Sequence, residues 1–332
     1  MSILIVKQGI ADSIQDTGRF GYQHTGINPT GAMDTIAIQL ANILVGNDPT
    51  AAVIELHFPA SVFLFKQQAC LAIAGADFGA MINDIPIATH TPVIIQKNCV
   101  LQFTKPIKGA RAYLAVKGGF TLEHWLNSYS THLKAGAGGY KGRYLQKNDE
   151  LSLQEHHCFS SVLKDTDAEQ ANWKIETRDF YTNDKVIKVI QGKELSLLTE
   201  EAIQLFTASS FQITSKSDRM GYRMKGPAIA VPAQPMLSTG ITKGTIQILA
   251  DGQLIILMAD HQTTGGYPRI AHVISADIPT LAQLTANDSI TFKWVTQQEA
   301  EDAYVEQEQH LQQLQNACIL RLQEYFTTYG IH

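Results

Sequence analysis

The apolar run Leu254-Ile255-Ile256-Leu257-Met258 leads through Ala259 into Asp260-His261-Gln262-Thr263-Thr264-Gly265-Gly266-Tyr267-Pro268-Arg269. A buried strand delivers the backbone to a fixed point, and Gly265-Gly266 then lets it approach a ligand with no Cβ in the way. The same Gly-Gly-Tyr-Pro string also suits an ordinary turn between two strands. Both readings make this a strand-rich chain, and the neighbouring sequence agrees. Between residues 53 and 153, short apolar runs at 62–65, 71–74, 93–95 and 113–116 are separated by Gly, Asn, Asp and Pro, the spacing of strands in barrels or sandwiches rather than of a βαβ repeat. The fold class is therefore mainly β with some α (α+β).

Helices punctuate this pattern. Residues 34–44 carry Ile36, Leu40 and Leu44 at four-residue steps, with Asp34 placed to cap and Gly46 to stop. A strand at 186–190 and a helix at 199–206 restart the pattern after a polar, aperiodic stretch at 154–185. The division expected is a β-rich lobe at 1–165, a linker at 166–185, a second lobe at 186–295 and an amphipathic helix at 296–332. In that helix Leu311, Leu314, Cys318, Leu322 and Tyr325 recur at three- and four-residue steps, as expected of a helix packed on its own domain.

The 332 residues suffice for two cores, and only 17% are charged, a surface poor enough in charge to predict area covered by a partner. The net charge of −5 and dispersed Lys and Arg exclude a basic nucleic-acid stripe. No run of about 18 apolar residues occurs and the first apolar run is too short for a signal peptide, so a cytoplasmic protein off the membrane is expected. Cys70, Cys99, Cys158 and Cys318 lack metal-binding spacing and read as reduced thiols, with no metal expected. The phosphate-binding P-loop, the G-x-S-x-G elbow and H-E-x-x-H are all missing from the sequence.

A second dense segment, Gln15-Asp16-Thr17-Gly18-Arg19-Phe20-Gly21-Tyr22-Gln23-His24-Thr25-Gly26, lies near the other end, followed by Pro29-Thr30-Gly31-Ala32-Met33-Asp34. Two such segments could close on one cleft. Arg219-x-Gly221-Tyr222-x-x-x-Gly226 repeats Arg19-x-Gly21-Tyr22-x-x-x-Gly26, which suggests a duplication. Arg19 and Arg219 suit either a substrate carboxylate or a buried salt bridge. His24 and His261 are candidates for moving a proton, His57 a weaker one, and the adjacent His156-His157 read as solvated. Asp16, Asp34 and Asp77 read as caps or turn acceptors. Gly136-Ala137-Gly138-Gly139-Tyr140-Lys141-Gly142-Arg143, preceded by Ser128, Ser130 and Thr131, offers a nest of amides beside cations. From it Ser130, Thr131, Gly139 and Arg143 are expected to bind an anion.

Gln15-Asp16-Thr17-Gly18-Arg19-Phe20-Gly21-Tyr22, Gly31-Ala32-Met33-Asp34, Ser130-Thr131, Gly142-Arg143, Arg219-Met220-Gly221-Tyr222, Gly244-Thr245-Ile246-Gln247 and Gln262-Thr263-Thr264-Gly265-Gly266-Tyr267-Pro268 together resemble one family. It contains the C subunit of 5-oxoprolinase, the second-subunit proteins often labelled allophanate hydrolase, and the carboxyltransferase part of urea amidolyase. The resemblance implies two lobes of cyclophilin-like β-barrel character and a cleft completed by a sister subunit. It implies ATP-dependent opening of 5-oxoproline to L-glutamate by a complex with sister subunits A and B, acting on a small amide or lactam with ATP used at the level of the complex. Catalytic roles are expected for His24, Asp260, Thr263 and Thr264, and substrate contacts for Arg19, Tyr22, Arg219, Tyr222, Gln262, Gly265, Gly266, Tyr267 and Arg269. Two alternatives accompany it: carboxyl transfer of the urea amidolyase type, with biotin carried on another chain, and non-catalytic antagonism of a kinase inhibitor. Two positions depart from the family pattern: Asn127 replaces a usual Gly, and Thr239 a common acidic residue.

Overall fold

The computed structural model describes residues 2–329 apart from 156, 164–165, 183 and 233–235. His156, Lys164, Asp165 and Asn183 of the polar stretch therefore lie outside the described residues. The chain divides into two compact units. One comprises Met1–Gly18, Asp34–Glu176 and Gln309–His332, and the other Arg19–Met33 and Thr177–Glu308.

In the first unit, two six-stranded antiparallel sheets share one core. One sheet runs Glu150–Ser152, Ser2–Lys7, Val62–Phe65, Val100–Phe103, Ala80–Ile82, Ile85–Pro86; the other runs Ala168–Gln170, Val93–Ile95, Ala69–Asp77, Lys108–Val116, Val53–Leu56, Ser13–Gln15. Ile3, Ile5, Phe63 and Phe65 of the first sheet and Ile54, Leu71, Ile73 and Leu114 of the second all belong to that core. The helix Thr35–Val45 packs on the Ala69–Asp77 and Lys108–Val116 strands. The Asp34 carboxylate accepts the Ile36 and Ala37 amides, and Gly46 closes the helix at φ 76°, a conformation open to glycine at no steric cost. Asn127 has φ 58°, so it holds the left-handed conformation that the family's glycine would take, and Asn is one of the few residues that tolerates it.

Part of the expected linker is sheet. Ala168–Gln170 pairs with Val93–Ile95, and the nearby Phe159, Val162, Leu163, Ala171 and Ile175 are buried. The chain passes between units at Glu176/Thr177, within the stretch drawn as linker. The C-terminal helix Gln297–Thr328 buries Leu311, Cys318 and Leu322. From Gln309 on it belongs to the first unit, where Phe326 meets Phe159 and the Lys117 ammonium. Its residues up to Glu308 belong to the second unit, where Gln307 Nε2 donates to Ala276 O. No described helix is long and apolar enough to cross a membrane.

The second unit is a closed seven-stranded barrel in the order Val186–Gln191, Arg269–Val273, Thr245–Ile248, Leu254–Leu257, Gly221–Lys225, Phe211–Ile213, Ser289–Trp294. Closure comes from a parallel pair, Val186–Gln191 with Ser289–Trp294. Phe206, on the helix Glu200–Ala208, stacks on Phe292 at 4.6 Å and meets Phe211 and Trp294. Closure leaves no unpaired edge, so ligand contacts must come from the wall's faces or from loops at its ends.

Candidate functional site

Strand register builds the site. Ile255 of Leu254–Leu257 lies opposite Gln247 on one neighbouring strand and opposite Arg223 on the other. Successive side chains alternate across a sheet. Ile246, Ile256 and Tyr222 enter the barrel core, which puts Gln247, Ile255 and Arg223 in one row on the opposite face. That row forms the floor of a cavity of about 470 Å³, closed around it by Met220, Gln262 and Tyr267. A more apolar cavity of about 790 Å³, lined by Ile229, Val231, Ile248 and Gly266, shares Leu249, Ala250, Asp251 and Tyr267 with it.

The Gly-Gly turn shapes this wall. Thr264–Gly265 forms a two-stranded ladder with Thr239–Gly240, in which Thr239 faces Gly265. A Cβ on Gly265 would come within 2.8 Å of Gln247 Nε2 and 3.0 Å of Ile241 Cδ1, so only glycine leaves the Gln247 carboxamide its place. Gly266 is under no such pressure, its nearest neighbour being Ser238 Oγ at 3.4 Å. Gln262, Thr264, Gly266 and Tyr267 are exposed around the turn, with Thr263 half-buried.

The two glycine-rich segments are brought together, though not as a duplication. Residues 19–33 belong to the barrel unit. Arg219 donates to both Asp260 oxygens at 2.9 and 3.1 Å and to Gly31 O at 2.6 Å, and Asn28 Nδ2 donates to Asp260 O at 2.9 Å. Lys243 donates to Ala32 O and Met33 O. The described residues lining the cavity come from 216–267 and include none from 19–33. Tyr222 lies on a strand inside the core and Tyr22 on a loop before the 3-10 turn Gln23–Thr25, so the matching motifs occupy different structures.

The expected site residues sit in differing surroundings. Arg219 and Asp260 form a largely buried ion pair that ties one loop to another, the structural alternative for Arg219. Arg269 grips Glu194 with two bonds of 2.6 and 2.8 Å, and this pairing holds the Glu194 carboxyl below its ordinary range. Arg19 is fully buried, donating to Thr30 Oγ1 at 2.9 Å within its own loop. Tyr222 is core and does not reach the cavity. Tyr22 is half-buried, and His24 is exposed on its turn.

His261, unlike the exposed His24, is held in place. It is 3% exposed, and its Nδ1 lies 2.6 Å from Gln262 O. A carbonyl only accepts, so Nδ1 holds the proton and Nε2 the lone pair. Burial pulls its pKa below the ordinary histidine value, as it does for His272.

The anion nest in the first unit is taken up by the chain itself. The Ser130 hydroxyl donates to Asp16, Thr131 Oγ1 donates to Ile14 O at 2.9 Å, the Gly139 amide donates to Tyr129 O at 2.9 Å, and Arg143 chelates Asp149 at 2.6 and 2.7 Å. These donors are matched by acceptors within the chain. Sequence reasoning gave no role to Gln247, Ile255, Arg223 or Lys216. The signal was the alternation in Thr245-Ile246-Gln247-Ile248 and Gly221-Tyr222-Arg223-Met224-Lys225, where polar residues mark the outward face.

The family described as carboxyltransferase domain, subdomain A and B, matches residues 25–294. Among curated relatives, the 5-oxoprolinase C subunit of Haemophilus influenzae is 36% identical over 304 residues, covering 91% of this chain and 94% of that protein. The 5-oxoprolinase C subunit of Escherichia coli is 33% identical over 311 residues, covering 93% of this chain and 96% of that protein. The solved urea carboxylase of Kluyveromyces lactis superposes with a TM-score of 0.84 at 27% identity; the match covers 94% of this chain but only 29% of that one.

Proposed function

Because the chain belongs to the carboxyltransferase domain family, subdomains A and B, we propose that it is the C subunit of a cytoplasmic 5-oxoprolinase. With sister subunits A and B it would convert 5-oxoproline, ATP and water to L-glutamate, ADP and phosphate. The observation that supports this reading best is near full-length similarity to two proteins of that name, 91–93% of this chain against 94–96% of theirs.

The chemistry has a clear difficulty to solve. Resonance makes a lactam carbonyl a poor electrophile, and ATP can activate it by phosphorylating the oxygen, after which water opens the ring. The residues present do not fit the nucleotide itself. Lys216 and Arg223 share their cavity with Asp218 and Asp251, cancelling the charge a triphosphate needs, and the glycine-rich nest has its donors engaged. In this reading ATP would be held by a sister subunit. This chain's share is to hold the ring on the Gln247–Ile255–Arg223 row, with the Thr264 hydroxyl and the Gly265-Gly266 turn beside it.

The second reading is biotin-dependent carboxyl transfer, favoured by the urea carboxylase superposition. In it the apolar cavity of Ile229, Val231, Ile248 and Tyr267 would receive a biotin ring carried on another chain.

The deciding experiment is glutamate formation from 5-oxoproline and ATP by the three subunits together and with each omitted. Glutamate only when this chain is present supports the proposal. No glutamate from a folded three-chain complex overturns it in favour of carboxyl transfer or of a regulatory role that needs no catalysis.

A further inference from the structure

Gln247 is an unusual residue for its place. It is 1% exposed on a barrel strand yet lines the 470 Å³ cavity. Pairing with Arg269–Val273 shifts register between Ile246 and Gln247, and such bulges re-aim a side chain. The Gln247 carboxamide nitrogen donates a long 3.3 Å bond to Tyr267 O, which sets the amide's orientation, since a carbonyl oxygen can accept only from the nitrogen end. Among the described residues the carboxamide oxygen has no hydrogen-bond partner, and a second N–H remains. The oxygen is not among the buried atoms left without a partner, so it meets the solvent of the cavity, which a ligand's N–H can replace.

We infer that Gln247 is the specificity-determining residue that reads the ring amide of a lactam, with Arg223 at the other end of the row taking the ring's carboxylate; this rests on the 5-oxoprolinase reading. A lactam ring forces its amide cis, so N–H and C=O lie side by side, and a primary carboxamide answers with one acceptor and one donor in the same plane. Arg223 stands two strand spacings away, about 10 Å between backbones, across the apolar Ile255, on which the ring's methylenes would rest. A plain tether to Tyr267 O would use one N–H and would not require the carboxamide to line a cavity.

The test uses the reconstituted complex with the full chain. Kinetics with 5-oxoproline are measured for wild type, Gln247→Leu, the isosteric Gln247→Glu and Arg223→Leu, with 2-pyrrolidone, the lactam lacking the carboxylate, and L-proline, the carboxylate lacking the lactam, as competitors. In wild type, 2-pyrrolidone competes more strongly than L-proline. Each Gln247 variant raises KM about ten- to hundredfold with kcat within about threefold, the loss expected for a buried hydrogen-bonded pair, and 2-pyrrolidone competition is lost. Arg223→Leu raises KM but leaves 2-pyrrolidone competition unchanged. If Gln247→Leu fails to fold, Gln247→Glu and the wild-type competitor ranking decide. KM within twofold of wild type in a folded Gln247 variant, or L-proline competing as well as 2-pyrrolidone, overturns the inference while leaving the 5-oxoprolinase reading in place. No turnover by the wild-type complex overturns both.

Discussion

Residues 128–143 of the first unit and residues 260–269 of the barrel unit have the same composition of glycines, hydroxyls and an arginine, yet the fold uses them differently. In the first, Asp16 is 6% exposed and accepts from Ser128 Oγ at 2.8 Å, Tyr129 N at 2.6 Å, Gly18 N at 2.8 Å and the Ser130 hydroxyl. In the second, Arg269 and Asp260 are anchored in ion pairs, while Gln262 and Tyr267 line a cavity and Thr264 is exposed on the turn between them. Density of polar residues marks a demanding backbone path in both. What separates a structural knot from a site is whether acceptors within the chain match its donors.

The largest effect that comparison predicts is at Asp16. Asp16→Ala should lower stability by about 3–5 kcal/mol, since several buried donors lose one acceptor together. Thermal and urea unfolding measure it, and a loss below about 1 kcal/mol would mean that the knot is not holding the first unit together.

Next comes a pair of opposing titrations in that unit. Burial pushes the Asp12 carboxyl up to about 6, against the His57 and Ser61 amides that hydrogen-bond it. Burial likewise pulls His90 down to about 4, its Nε2 accepting the Gly75 amide. Asp12 binds its proton more tightly folded than unfolded, so its contribution is full below 3.8 and is lost as pH rises through about 6. His90 resists its proton when folded, so its contribution is full above 6.5 and is lost as pH falls toward about 4. Each shift amounts to roughly 3 kcal/mol at 1.36 kcal/mol per unit, and between pH 4 and 6 the two nearly cancel. Asp12→Asn should unmask His90: stability of the variant should fall by about 3 kcal/mol more than wild type between pH 6 and pH 4. Parallel pH profiles for the two proteins would contradict this.

Arg143 offers a smaller and more pointed test of the nest. Its pair with Asp149 is partly exposed, with the arginine side chain 30% accessible, so screening limits Arg143→Met to a loss of about 1 kcal/mol. Activity of the assembled complex at saturating substrate should be unchanged. A selective rise in KM for an anionic substrate, with unchanged melting temperature, would return the anion site to consideration.

Much of the fold was legible because local rules and tertiary demands agree. Asp34 and Gly46 bracket a helix whose apolar positions face a sheet, and the apolar runs at 62–65, 93–95 and 113–116 are strands. Ala168–Gln170 was missed because an edge strand satisfied by one neighbour can be as polar as a loop. The assignment of residues 19–33 to the barrel unit was missed because nothing local tells a loop which core it will join; Met33 decides it by entering the barrel core. Tyr222, expected among the substrate contacts, lies on a strand that alternates Tyr222 and Met224 inward with Arg223 and Lys225 outward. The same alternation identifies the row that forms the cavity floor.

The finest discrimination comes from two threonines. Thr131 is fully buried, and its hydroxyl donates to Ile14 O; a Cβ on Gly139 would strike that same hydroxyl. Thr264 is exposed on the turn between Gln262 and Tyr267, which line the cavity. Thr131→Ala should therefore cost about 1 kcal/mol of stability and nothing in kcat. Thr264→Ala should alter stability by less than about 0.5 kcal/mol and lower kcat/KM about tenfold, the loss of a little over 1 kcal/mol of hydrogen bonding in the transition state. The two measurements cross over, which neither a general loosening of the protein nor a generally robust one would produce. If Thr264→Ala is instead silent in both, the hydroxyl serves only the turn, and the chemistry must rest on the Gln247 row and on groups supplied by the sister subunits.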